Sequence, residues 1–459
     1  MAAQGSEEEP GFSKIIIVGA GPSGLLLALL LTTLNPSPTI TLLDAARTLN
    51  TAPRATHYGP PAVSVLRRAG ILDTVRERGF LPKTLCWRKL DGTRIAGFDR
   101  SLLHTDLDGT TTLNLGELGQ LMVDKLKERG VEILWGRKVV GVGGQEEDSN
   151  EAWVDVEAEG DETNEKRRER LEADFVVGCD GGNSGVRKCL FPGRANFPGF
   201  TWEEQIVATN TYYDFDQFGW EDTNFIIDPE HWYMAARINT KGLWRISYGE
   251  LPGLSDDELL ARQPIKFEKM LPGHPTPDQY KVVNISPYKV HQRCVEKMAM
   301  GRVALAADAA HLCNPFGGLG LTGGIVDIEG LFDCLRGIHT HVASPSILST
   351  YSSVRIQRWR DIINPISSSN IRRMFALDPD KALEEDEFLK TVKKAEEDRE
   401  LSVKMQTAST GLKYDFTQHY ERQSNGVEAK DEQEGGEKAN EPGRIDAEQA
   451  VGVVAATVT

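Results

Sequence analysis

No two of the six cysteines (Cys86, Cys179, Cys189, Cys294, Cys313, Cys334) stand as C-x-x-C. That spacing excludes a zinc ribbon and a disulfide framework, and points to a reducing compartment, the cytoplasm. A basic excess is missing too: the formal net charge is −16, which excludes the electrostatic footprint of a nucleic-acid binder. Glu7 to Glu9 carry −3 of it, and Glu428 to Glu448 hold eight acids against three bases. Both stretches read as solvated tails. No apolar run is comfortable as a membrane span. The nearest, Ile15 to Leu31, follows acidic residues and contains Gly-Pro-Ser-Gly, whereas a signal peptide needs a basic flank. No internal repeat appears, and no histidine–cysteine–carboxylate cluster suggests a metal.

What is present is ordinary for an enzyme. The chain has 459 residues, 40% hydrophobic and 26% charged, enough for two or three domains. Residues 1–12 and 421–459 read as disordered tails, the latter acidic. Residues 13–195 form the first part of a domain, 196–290 a sheet-rich insertion, 291–375 the second part with helices, and 376–420 C-terminal helices. Lys14 to Val18 is a β-branched run typical of a buried parallel strand. Leu25 to Thr33 predicts a helix and Thr39 to Leu43 a second strand. Together they make a βαβ unit of about thirty residues. Val131–Leu134, Val139–Val142 and Trp153–Glu157 suggest a β-meander, and the polar stretch Glu159 to Arg170 an exposed hairpin loop. From Trp202 to Tyr248 aromatic residues are dense, and alternation in "HWYMAARI" and "GLWRISYGE" predicts strands.

Three motifs carry chemistry. Gly19-Ala20-Gly21-Pro22-Ser23-Gly24 is a G-x-G-x-x-G between strand and helix, with Asp44 20 residues beyond Gly24. The glycines allow the turn, the approach of a pyrophosphate and close helix packing, and the acid can hold ribose hydroxyls. An acid there favours FAD or NAD over NADP. "FVVGCDGGNSGVRKCL" carries Asp180, Gly181, Ser184 and Arg187. "GRVALAADAAHLCNPFGGLGLTGGIVDIEGL" carries Asp308, His311, Pro315, Gly318, Gly320, Leu321, Thr322 and Asp327. A strand-end carboxylate at 308 can hold ribityl hydroxyls. A helix starting at Leu321–Thr322 can stabilise negative charge on a reduced flavin.

In order and spacing, these motifs resemble the single-component flavoprotein monooxygenases of the para-hydroxybenzoate hydroxylase type, from roughly Lys14 to Trp359. The resemblance implies an α/β fold: a Rossmann-like FAD-binding domain, an inserted mixed β-sheet substrate domain and a helical C-terminal region. It implies FAD contacts at Gly19, Gly21, Pro22, Ser23, Gly24, Asp44, Asp180, Gly181, Asp308 and the loop Pro315 to Thr322. "PRATHYGPPAVSVLRRAGIL" puts Arg54 near the FAD phosphates, and "TLNLGELGQLM" suggests Asn114 and Gln120. Arg187 either holds a helix start or meets NAD(P)H. The chain departs from the family at Ala307, usually Gly, and at Thr322, often Asn. It also lacks an arginine on the first substrate-domain strand, "EEQIVATNTYYDF".

The implied activity is FAD-dependent hydroxylation of an aromatic or polyketide-like molecule with NAD(P)H and O2, through a C4a-hydroperoxide. The resemblance points to the fungal secondary-metabolism branch. Epoxidation, Baeyer–Villiger insertion and a non-catalytic FAD-binding homologue stay open. No W-x-W-x-I-P segment supports a halogenase. The oligomeric state is open. His231, Tyr233 and Arg237 share one face of their strand by period two. Trp244, Ile246 and Tyr248 share another, with Arg245 and Ser247 opposite. His231, Tyr233 and Tyr248 are the candidates to deprotonate a phenol, against the alternative of aromatic pairs that only stabilise the sheet. His311 reads as a structural neighbour of a helix start, and Glu329 and Asp333 as helix surface.

Overall fold

The fold is taken from a computed structural model, which describes residues 10–50, 56–103, 109–159, 166–193 and 197–421. Lys14–Val18 lies at the centre of a six-stranded sheet, paired in parallel with Thr39–Asp44 on one side and Phe175–Gly178 on the other. Val303–Leu305 continues the sheet beyond Phe175–Gly178, and Ile133–Trp135 lies beyond Thr39–Asp44. Four of the five residues in Lys14–Val18 are buried, as expected for a strand covered on both faces. Helix Pro22–Leu31 is apolar all round because it is enclosed. It packs between the sheet and helices Leu115–Glu128 and Leu319–His339. That accounts for the apolar run Ile15 to Leu31: it is a core strand and a core helix. Among the described residues no helix is long and apolar enough to cross a membrane.

A meander forms, but from Arg137–Gly143, Ala152–Glu159 and Lys166–Ala173; the strand expected over Val131–Leu134 joins the parallel sheet instead, as Ile133–Trp135. Here the structure corrects the expectation of an exposed loop over Glu159 to Arg170, since a strand resumes at Lys166. Its charges pair across the ladder, Arg168 with Glu157 and Arg170 with Asp155. The Arg170 guanidinium also lies 3.6 Å over the Trp153 ring. Cross-strand ion pairs allow a polar strand that alternation does not reveal.

The second large sheet has eight strands, in the order His311–Leu312, Lys281–Cys294, Gly199–Tyr212, Leu243–Glu250, Tyr233–Arg237, Thr223–Ile227, Thr84–Lys89 and Arg94–Asp99. It is mixed, because Thr223–Ile227 runs parallel to Thr84–Lys89 while its other neighbours are antiparallel. The hairpin Thr84 to Asp99, which the sequence places with the first domain, joins this cap sheet. So does His311–Leu312, from the third motif. Helix Asp256–Met270 begins at a capping box between Ser255 and Glu258 and packs on one face of the cap. There Leu259, Phe267 and Met270 meet Val207, Ile226, Tyr233, Trp244, Ile246 and Tyr248 in a core of their own.

The C-terminal helices cover the helix Leu319–His339. Phe416 packs where Gly330 leaves room, and the Tyr420 hydroxyl donates to the Asp333 carbonyl. At the other end, Phe12 falls inside the segment expected to be disordered, yet it is buried edge-to-face against Phe175 and His339. Residues 1–9 and 422–459, where the rest of both tails was expected, lie outside the described residues.

Candidate active site

Gly19 adopts φ +106° and its amide donates to the Leu43 carbonyl at 2.7 Å. A Cβ there would lie 2.5 Å from the Cys179 carbonyl oxygen, so the turn between strand and helix needs glycine. A Cβ on Gly24 would lie 2.0 Å from the Gly19 carbonyl oxygen, whereas one on Gly21 would meet no atom of the described residues within 4 Å. The three glycines therefore divide into turn, open approach and close packing. Among the described residues no side chain caps the N-terminus of helix Pro22–Leu31, which leaves N–H groups for an anion. Asp44 stands at the end of the second strand. Its oxygens accept from Ala20 N and Ala46 N, both at 2.7 Å. Each oxygen retains acceptor capacity for a ribose.

The second cradle faces the same sheet edge. Gly317 and Gly318 have φ +124° and +58°, and Gly318 starts helix Leu319–His339 without a side-chain cap. The helix starts two residues before Leu321, which lies with Gly320 and Thr322 in its first turn. Thr322 is buried and its hydroxyl accepts from Gly59 N at 3.4 Å. Pro315 closes the preceding turn, its carbonyl accepting from Gly318 N. Asp308 is exposed on the short turn Ala307–Ala309. Ser23 and Ala307 both approach the position that a Cβ on Gly324 would take, at 3.8 and 2.7 Å. The two uncapped helix starts thus lie side by side at the carboxyl edge of a parallel sheet, where such folds take nucleotides. Open space at Gly21 and Gly181, two uncapped helix starts and two strand-end carboxylates fit an FAD molecule.

Other sequence candidates have local duties. Asp180 accepts from Ser184 Oγ, Gly185 N and Val186 N at 2.5, 2.6 and 3.2 Å and so caps helix Gly185–Leu190. Burial pushes its carboxyl up from the ordinary range. Asn114 caps helix Leu115–Glu128 by accepting from Gly116 N. Gln120 is exposed and donates to Asp124. Arg187 is 2% exposed. It donates to the Ala309 and Gly182 carbonyls at 2.8 and 2.7 Å and lies 3.7 Å over the Phe197 ring. Of the two roles open for Arg187, these contacts favour the structural one: it ties the Asp180 loop to the Asp308 loop. Arg54 lies outside the described residues.

The three candidate catalytic groups are not brought to the glycine loop. Tyr233 and Tyr248 point into the separate core under helix Asp256–Met270. His231 opens onto a surface cleft with Glu268, Lys269 and His274, and burial and Lys266 push its pKa down. The opposite face of the same strands turns inward. Trp232 packs on Gly249 and lies 5.3 Å, edge-to-face, from Phe316 of the glycine loop. On that face Arg245 is buried, and its Nε donates to Asn210 Oδ1 at 2.8 Å while Nη2 has no partner among the described residues. Burial pushes Arg245 down to about 10. Close by, His57 is pushed down to about 3 by burial and by the charges of Arg100 and Arg245. Its Nδ1 shares a hydrogen bond of 2.8 Å with Thr56 Oγ1, and its Nε2 is buried without a partner among the described residues. His57 is two residues from Gly59, which touches Thr322, so it stands between the cap and the flavin loop. Arg100 is fully buried and likewise pushed down to about 10. The sequence reading gives no role to His57 or Arg100, and it places Arg245 on the face opposite Tyr248 without choosing that face. The available signal was a lone arginine alternating with aromatics in "LWRISYGE".

Phenylalanine at 233 and at 248 provides a direct check. Both single variants are expected to change turnover less than ~3-fold, because each hydroxyl lies in an apolar core rather than at the reacting ring. Steady-state kinetics on the two variants tests this.

A parallel sheet carrying two nucleotide cradles at its carboxyl edge, under an antiparallel-rich cap, defines a flavin-dependent oxidoreductase. The profile of the FAD binding domain family matches residues 13–364, and the chain belongs to that family. It is 37% identical over 379 residues to para-nitrophenol 4-monooxygenase of Pseudomonas sp. (strain WBC-3), covering 82% of this chain and 91% of the relative. It is 33% identical over 369 residues to 6-hydroxy-3-succinoylpyridine 3-monooxygenase HspB of Pseudomonas putida (strain DSM 28022 / S16), covering 80% and 90%. The crystal structure of p-nitrophenol 4-monooxygenase PnpA from Pseudomonas putida DLL-E4 superposes with a TM-score of 0.78 at 33% identity, over 87% of this chain and 98% of that one. The chain is an FAD-dependent monooxygenase, and its aromatic-hydroxylase fold agrees with the architecture expected from sequence. These relatives are bacterial, and the fungal branch is not among what they show.

Proposed function

We propose that the chain hydroxylates a small aromatic ring bearing a hydroxyl group, with NAD(P)H as reductant and O2 as oxidant. The observation that carries this reading is a pair of buried nitrogens without a partner among the described residues: Arg245 Nη2 on the cap face turned toward the glycine loop, and His57 Nε2 close by on the short strand His57–Tyr58. A buried cation without a carboxylate is costly, and a ligand oxygen relieves that cost. Arg245 accordingly holds the ring hydroxyl as its phenolate, which enriches the ortho and para carbons in electrons. His57 is neutral at working pH and presents Nε2 as a hydrogen-bonding group. Trp232 and Phe316 close the apolar side and keep water out. Bound FAD supplies the transfer of two electrons from NAD(P)H to dioxygen. The balance is ring C–H, O2, NAD(P)H and H+ giving ring C–OH, H2O and NAD(P)+.

The names of two relatives, para-nitrophenol 4-monooxygenase and 6-hydroxy-3-succinoylpyridine 3-monooxygenase, both specify hydroxyl-bearing rings. They favour a small phenol-like substrate over a polyketide. All six cysteines are unpaired, which supports a cytoplasmic setting. The test is NAD(P)H oxidation by FAD-loaded protein with 4-nitrophenol and with nitrobenzene. Acceleration by the phenol alone is expected. Equal rates with and without either compound, with all oxygen recovered as hydrogen peroxide, would contradict the reading.

A further inference from the structure

The third motif contains a device that neither the glycine loop nor the cap explains. Ala307 adopts φ +55°, a region that L-residues with a side chain disfavour. Asp308, the exposed strand-end carboxylate, follows it directly. Something must hold this turn. The Ala307 amide donates to Asp327 Oδ2 at 3.0 Å. The same oxygen accepts from His311 Nε2 at 2.7 Å, and Asp327 Oδ1 accepts from Arg355 Nε at 2.6 Å. Asp327 is fully buried, and His311 and Arg355 are nearly so. Burial works to raise the Asp327 carboxyl, but His311 and Arg355 outweigh it and hold the group below the ordinary carboxylate range. It therefore stays an acceptor for all three donors.

The geometry fits a clamp on the turn. Asp327 sits on helix Leu319–His339, whose first turn forms the second nucleotide cradle. Gly324 on the same helix leaves the space that the Ala307 methyl fills. Arg355 extends the clamp outward, its Nη1 donating to the Leu412 carbonyl at 2.6 Å. One carboxylate thus joins the strained turn, the cradle helix and the C-terminal segment. A buried ion pair contributes little to stability against an apolar replacement, so its place at a strained turn beside a ligand edge calls for another role.

We propose that Asp327 is a positioning residue for the cofactor: it holds Ala307 in the left-handed conformation, and so sets the direction in which Asp308 meets the FAD chain. This rests on the flavin reading above. It assigns to Asp327, and through it to His311 and Arg355, a share of the FAD affinity although none of the three touches the ligand edge. It also accounts for the tolerance of alanine where the family usually has glycine. The clamp supplies the constraint that glycine makes unnecessary.

The test is a double-mutant cycle read as FAD affinity of apoprotein, by flavin fluorescence quenching, with circular dichroism to verify folding. Asp327→Asn is expected to weaken FAD binding by ~10-fold or more, the scale of a hydrogen bond to a charged acceptor. Ala307→Gly removes the penalty of the left-handed turn. It is expected to restore most of that affinity in the Asp327→Asn background, and to bind no more weakly than the wild type when alone. A merely structural Asp327 would not be rescued at a single backbone position. Should Asp327→Asn fail to fold, the double variant is expected to fold and bind FAD. The proposal is overturned if folded Asp327→Asn binds FAD like the wild type. It is equally overturned if the double variant folds without regaining affinity, or if neither folds, since Asp327 is then a core residue only. A wild-type apoprotein that refuses FAD overturns the flavin reading instead, so the two failures are distinct.

Discussion

Arg245→Met is expected to give a protein that is more stable and nearly inactive. The guanidinium is buried, bonded to Asn210 through Nε, and without a partner at Nη2 among the described residues. Its pKa in the fold, about 10, lies below that of the unfolded chain. The protonated form is therefore disfavoured by folding, and the cost persists at every pH below about 10. Methionine removes that cost but leaves the Asn210 carbonyl without this donor. The net gain is about 1 kcal/mol, a few degrees in Tm. Function moves the other way. Losing a charge-assisted hydrogen bond to a phenolate costs about 2–3 kcal/mol, or ~30–150-fold in kcat/KM. FAD affinity should change less than ~3-fold, because Arg245 lies on the cap rather than in a nucleotide cradle. Thermal melts, flavin titration and kinetics on one preparation separate these effects. A variant that loses stability and retains turnover would remove Arg245 from the site.

The second large effect is expected from one methyl group at two neighbouring glycines. In Gly24→Ala the new Cβ would lie 2.0 Å from the Gly19 carbonyl oxygen and 3.2 Å from Ile17 Cγ2. Backbone must move, so helix Pro22–Leu31 is forced off the strand. The expected cost is about 1–3 kcal/mol of stability, and the displaced helix start loses FAD. In Gly21→Ala the Cβ meets no atom of the described residues within 4 Å. The apoprotein is expected to melt within a degree or two of the wild type, yet to lose FAD affinity by ~100-fold, because that open side is where the main chain must approach the pyrophosphate. FAD should therefore raise the Tm of the wild type by several degrees more than that of either variant. A Gly21→Ala protein stabilised by FAD as fully as the wild type would move the phosphates elsewhere.

The cradles were legible because their requirements are local. Gly24 is dictated by contacts within one strand–turn–helix unit and Asp44 by the length of the next strand, whereas Gly19, legible from the turn it makes, is also pressed by the Cys179 carbonyl of a distant strand. The reacting face was not legible. Period two separates Tyr248 from Arg245 but does not say which side meets the flavin. That is decided by helix Asp256–Met270, the next element in the chain, which folds back on the aromatic side. The sequence leaves Arg187 open between a coenzyme and a helix start, and the enclosure by Phe197 and two carbonyls is a matter of the fold. His311 read as a neighbour of a helix start, but its partner is Asp327, 16 residues away. In each case the missing information is a tertiary contact that a lone polar residue in an apolar stretch signals without naming.

Oxygen-isotope transfer tests the central claim most directly. FAD-loaded protein, NAD(P)H and a phenol that accelerates NAD(P)H oxidation are incubated under 18O2, and the product is weighed by mass spectrometry. The account predicts one labelled oxygen atom in the ring product and the other in water. A product without label, or peroxide alone from a fully flavinated protein, would contradict it.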